Sequence, residues 1–168
     1  KYFPIVDNKN KLTNQFIIVS NLTPANPKKI IEGNEKVIRP RLADAEFFFK
    51  QDKKNTLLEM SNKLDKIIYH NKLGSQSDRA KRVSKIHRHI YQELSIGDFK
   101  DFERVALLAK ADLVCLMVGE FPELQGIMGR YYALNSNEDI SIADTIEDHY
   151  KPKFSGDTLP RSTLGVTF

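Results

Sequence analysis

Between Phe102 and Val118, apolar side chains fall on nearly every side of a helical projection. Val105, Leu107, Leu108, Leu113, Leu116 and Met117 leave no wide polar face. A helix apolar all round must be buried, so this spacing predicts a central helix that the rest of the chain wraps. The 168 residues and 19.3 kDa suffice for one ordinary domain or two very small ones. A hydrophobic content of 40% supplies a core and excludes wholesale disorder. No apolar run approaches the roughly 18–20 residues of a membrane span. The single cysteine, Cys115, excludes an internal disulfide and a multi-cysteine zinc site, and fits a reducing, cytoplasmic setting. There is no signal-peptide pattern. The chain opens on Lys1 rather than Met and closes on the apolar segment Thr163 to Phe168, and so reads as a piece of something larger.

Local signals predict the other elements. Tyr2–Val6 and Gln15–Ser20 read as a hairpin around the turn Asp7–Lys11, with Pro4 marking an edge strand. Two strands cannot be stable alone, so the hairpin is expected to close a sheet supplied from outside this chain. Asn26-Pro27 reads as a helix start, with Gly33 interrupting the helix and Pro40 kinking or restarting it. Thr56 and Glu59 form a capping-box pattern ahead of an apolar helical stripe of Leu57, Leu64, Ile67 and Ile68. Lys72–Ser75 reads as a junction with Gly74 as a helix C-cap. Beyond it all is helical: Val83, Ile86, Ile90 and Leu94 share one face of a helix from near Ser77 or Asp78, which Gly97-Asp98 closes. Pro122 opens a short helix through Tyr132, Asn135–Asn137 turn, and Ile140, Ala143 and Ile146 mark a last helix that stops before Pro152. The fold class expected is mainly α with a small β-hairpin.

Charge is unevenly spread. Residues 1–90 carry 19 basic and 9 acidic side chains, a balance of +10, whereas residues 91–168 carry 7 and 13, a balance of −6. A basic half suits a polyanionic partner, and a solvated helical surface is the plain alternative. Lys81, Lys85 and Arg88 recur at i, i+4 and i+7, facing away from the apolar stripe, with Arg82 at its edge. Long cationic chains at that spacing can follow a phosphate backbone. Arg39 and Arg41 flank Pro40 and could fork onto phosphate, or pair with Glu35, Asp44 or Glu46.

His87, His89, Asp112, Asp148 and His149 raise the question of a metal. Residues one or two apart on a helix diverge, so neither His87 with His89 nor Asp148 with His149 can share an ion, and the histidines read as surface residues. Asp112 lies among apolar neighbours and needs a partner, as a buried hydrogen-bond anchor or a remnant ligand. Cys115 has Ala111 and Gly119 at helical spacing and no base, so it reads as packing. Gly126 and Gly129 lack the strand and lysine of a phosphate loop.

Several runs resemble the β subunit of the heterotetrameric, bacterial-type glycyl-tRNA synthetase. They are Tyr2–Pro4, Phe16–Asn21, Gly33–Val37, Arg39–Phe49, Leu73-Gly74, Asp78-Arg79, Lys110–Leu113, Met117–Ala133, His149–Asp157 and Leu159-Pro160. The resemblance implies an internal fragment of that subunit. It also implies α subunits that activate glycine with ATP and magnesium, β subunits that bind and orient tRNA(Gly), and a heterotetramer containing a second β subunit. No cofactor falls to this fragment and no membrane is involved. Residues 1–73 would close a mixed domain, and residues 74–168 would begin a degenerate HD-like helical domain. In that domain the early metal-binding histidine position falls at Arg79 and the His-Asp pair at Ala111-Asp112. Both histidines are absent, which argues against a hydrolytic metal centre.

The expected role is therefore a non-catalytic, tRNA-binding segment of glycine–tRNA ligase, with Lys81, Arg82, Lys85, Arg88, Arg39 and Arg41 as candidate RNA contacts. The alternatives are an HD-type phosphohydrolase using Asp112, and a subunit-contact module in which Phe47 or Tyr131 buries against the α subunit.

Overall fold

The computed structural model describes residues 2–21, 25–95 and 99–168. The chain forms two compact units, Lys1–Ala43 and Asp44–Phe168. Gly74, read as a domain junction from the sequence, lies within the second. Among the described residues there are eight α-helices and two two-stranded sheets, so the fold is mainly α with small β elements.

The first unit holds β1 (Tyr2–Val6), β2 (Leu12–Ile18) and most of α1 (Pro27–Asp52). Antiparallel pairing sets Tyr2 opposite Ile18 and Pro4 opposite Phe16, with an irregularity before Val6. The second strand begins three residues earlier than its apolar content predicted, because the turn is tight. Asp7 accepts hydrogen bonds from the amides of Lys9 and Lys11 at 2.8 and 2.9 Å, and Asn10 takes a left-handed φ of 59°. Tyr2 donates to Asn34 at 3.0 Å and meets Phe16 edge-on. Neither Gly33 nor Pro40 breaks α1, which runs unbroken through both. Both are solvent-exposed, where water satisfies the carbonyl that a proline leaves without a helical donor.

The second unit holds the core. The Thr56–Glu59 capping box forms, but α2 stops after Leu57–Ser61. A 3-10 turn at Leu64–Lys66 and a short hairpin of β3 (Ile68–His70) and β4 (Gly74–Ser75) replace the expected longer helix. Gly74 is no C-cap: its φ of +84° serves the hairpin, and an added Cβ would meet the Asp78 carboxylate at 2.4 Å. Ser75 caps α3 (Gln76–Leu94) through a second capping box, with Asp78. The expected stripe is only partly inward, since Ile86 and Leu94 are exposed while Val83 and Ile90 are half-buried. The α3 side chain that is fully buried is His87. The Gly97-Asp98 stop lies outside the described residues; before it Ser95 closes α3 in the left-handed conformation.

The central helix predicted from Phe102 to Val118 is three pieces: α4 (Phe99–Leu108), a 3-10 turn (Ala111–Val114) and α5 (Leu116–Glu120). Burial was foreseen, but not the breaks, which let two carboxylates reach backbone amides, as described below. A 3-10 turn at Pro122–Leu124, α6 (Ile127–Asn135), α7 (Ile140–Asp148) and α8 (Thr163–Thr167) follow. Val105, Leu108, Met128, Tyr132, Ala143 and Ile146 form the core with Leu57 and Met60 from α2. Each large side chain buried there contributes roughly 1.5–3 kcal/mol. Phe49 stacks on Tyr132 at 6.0 Å.

Candidate functional site

The outer face of α3 presents Lys81, Arg82, Lys85 and Arg88, all exposed. Lys81, Lys85 and Arg88 line one groove, floored by Ala80, Ala106 and Leu107 between α3 and α4; Arg82 is not part of that lining. Glu103 stands across it, 3.2 Å from Arg88. This pair is exposed on both sides and worth under about 1 kcal/mol. Arg39 and Arg41 belong to the first unit. Arg39 pairs with Glu35 at 3.7 Å and lines a groove with Tyr2, Phe16 and Leu42. Arg41 is exposed on the same helix.

Asp112 is fully buried at the heart of the second unit. Its Oδ2 accepts from the amides of Gly126 at 2.6 Å and Gly129 at 3.2 Å, so it anchors the chain entering α6. Burial pushes its carboxyl above the usual range, and the two amides and Lys110 pull back. Ala111 packs in the apolar core. Arg79 is half-buried and lies over the Tyr69 ring at 4.9 Å. The Lys110 ammonium sits 3.6 Å from the centre of the Tyr150 ring.

The surface reading of the histidines holds for His89 and fails for His87 and His149. His87 is wedged edge-on between Phe102 and Phe168, at 5.1 and 4.8 Å. His149 packs on Tyr150 with ring centres 3.9 Å apart. Its value is pushed down to about 3, first by burial and then by the charge of Lys110. Asp148 is fully buried, yet its carboxyl is held near 2. Burial alone would raise it; Arg161, through side chain and amide, and Lys151 at 3.0 Å outweigh that. Among the described residues no three His, Cys, Asp or Glu side chains converge as metal ligands. Cys115 spends its sulfur capping α5, accepting from the Val118 amide at 3.3 Å, and burial pushes the thiol up to about 12.

Asp52 escaped the sequence reading. Four per cent exposed, it accepts from the amides of Leu116 and Met117 and from the Tyr132 hydroxyl, each at 2.9 Å. Its partners lie 64 to 80 residues away, so no spacing rule could find them. Arg104 with Glu138 and Arg130 with Asp144, 34 and 14 residues apart, likewise fall outside helical spacing. Cys115 carries a local signal, lying three residues before the amide it caps.

The geometry defines a helical scaffold whose buried carboxylates hold backbone, with a row of cations on an outer groove. A sequence profile for the family described as glycyl-tRNA synthetase beta subunit matches residues 1–168. Among curated relatives, the "Glycine--tRNA ligase beta subunit" of Delftia acidovorans is 56% identical over 99% of the chain. That of Janthinobacterium sp. is also 56% identical and that of Nitrosomonas eutropha 58%, each over 99% of the chain. The chain belongs to the glycyl-tRNA synthetase β-subunit family. It spans about a quarter of the length of these relatives (24%, 24% and 23%).

Proposed function

We propose that the chain is a tRNA-binding, architectural segment of a glycine–tRNA ligase β subunit, non-catalytic by itself. In this reading α subunits attach glycine to tRNA(Gly) with ATP and magnesium, and two β subunits in a heterotetramer orient the tRNA. The observation that carries the reading is the α3 groove, where Lys81, Lys85 and Arg88 share one wall. Such a row engages successive phosphates without reading sequence, and a rigid support keeps a bound acceptor end in place for chemistry elsewhere. The buried carboxylates supply that rigidity: Asp52 and Asp112 bond amides at the start of α5 and at the entry to α6. In this reading residues 74–168 begin a degenerate HD-like domain; the fully buried Ala111 and Asp112 support a structural use of that His-Asp pair position.

The test is a salt titration of tRNA(Gly) binding to the full-length ligase carrying Lys81→Gln, Lys85→Gln and Arg88→Gln together. The expected result is weaker binding, with the slope of log K against log salt shallower by roughly 2–3. Unchanged affinity and slope would remove this face from RNA binding. A subunit-contact reading is favoured by the exposed rings of Phe47 and Tyr131. In that case Tyr131→Ala splits the α–β assembly while tRNA affinity of the free β subunit stays intact.

A further inference from the structure

On the other edge of α3 from the cationic row, a pocket of about 140 Å³ opens between α3, the end of α4 and the turn after α7. Gln76, Arg79, Val83, Lys110 and His149 line it. Its polar equipment is unspent. Neither Arg79 nor Lys110 makes an ion pair among the described residues; each only lies over an aromatic ring. Both ring nitrogens of His149 are buried without hydrogen-bond partners, the carbonyls of Thr145 and Ile146 lying near the imidazole without bonding geometry.

Such groups are costly to bury unless something answers them. The field in the pocket is positive. Burial first, and then repulsion from Arg79 that exceeds the attraction of Asp112, push Lys110 down to about 8. Two cations that repel one another across an open cavity are relieved by an anion between them. The size limits which anion: the volume is well below the roughly 300–1,000 Å³ of sites for drug-sized ligands, so one small group fits and a whole nucleotide does not.

We propose that this pocket binds a single phosphate-type oxyanion, with the Arg79 guanidinium and Lys110 ammonium as charged donors and the His149 ring as a neutral N–H donor. The site is independent of the tRNA reading: Lys81, Lys85 and Arg88 do not line it, and the groove they line contains neither Arg79 nor Lys110.

The test titrates inorganic phosphate into the full-length β subunit at constant ionic strength in chloride, followed by calorimetry and melting temperature. Saturable binding and a raised melting temperature are expected, with affinity falling about tenfold or more in Arg79→Gln and in Lys110→Gln. Lys110→Arg, which keeps charge and stem, should fold and retain binding, and Lys66→Gln, exposed and outside both this pocket and the α3 groove, should bind as the unsubstituted protein does. Adenosine monophosphate as competitor separates the sources: displacement assigns the pocket to the phosphate end of a monoester, and no displacement assigns it to free phosphate. Absence of saturable phosphate binding, or undiminished affinity in both neutralised variants, would overturn the proposal.

Discussion

His149 is held neutral down to about pH 3, whereas an unfolded chain protonates histidine near 6.5. Between those values the unfolded state binds a proton that the folded state refuses, so stability falls as pH falls through that window. His87, pushed down by burial, works in the same direction. Asp148, held near 2, adds stability above its ordinary range near 3.9 and loses it as pH drops toward 2. Asp112, raised by burial, opposes this trend. The urea midpoint should therefore drop between pH 7 and pH 5, where only histidine has an ordinary value, and His149→Gln should flatten that drop. Equal pH slopes in the two proteins would show that His149 charges freely. Asp52 carries a second expectation. Asp52→Ala leaves two buried amides and a phenol without their acceptor, and should cost about 3 kcal/mol or more in denaturant unfolding.

The helices divide by how they are held. α2 and α3 begin at capping boxes written within four residues, Thr56–Glu59 and Ser75–Asp78. The first is legible as spacing; the second starts α3 at Gln76, one or two residues before the start its apolar stripe predicts. α5 is only five residues long and would not persist by propensity. It exists because Asp52 and Cys115 cap its first turn, one of them from a helix end 64 residues earlier. For the same reason the apolar stretch from Phe102 was readable as buried but not as broken. α6 and α7 meet at Gly129, where an added Cβ would lie 2.7 Å from Ile146 Cγ2 and 3.1 Å from Asp112 Oδ2. Replacing a helical glycine by alanine ordinarily gains about 0.5–1 kcal/mol. Here overpacking at about 1–3 kcal/mol wins, because Asp112 is pinned by two amides. Gly129→Ala should lower the melting temperature, whereas Gly33→Ala on exposed α1, with no atom within 4 Å of the new Cβ, should raise it or leave it unchanged.

Charge is uneven along the whole chain, and within the second unit Lys81, Lys85 and Arg88 line one groove with Glu103. The net charge of +4 understates the field at that groove, since charges beyond about 10 Å are screened at 0.1 M salt while the local row is not. Adding 0.1 M salt should accordingly weaken tRNA binding by the full-length protein more than the triple variant's, by a factor that grows with each cation retained. The family, the cationic row and the mainly helical class were legible because each rests on neighbours in sequence: repeats of three and four, caps, runs of identity. The placement of Asp52 beside Tyr132, the turn of His87 and His149 into the interior, and the pocket shared by Gln76, Lys110 and His149 were not. Those depend on contacts spanning tens of residues, and only folding brings such groups close enough for burial and charge to act on them.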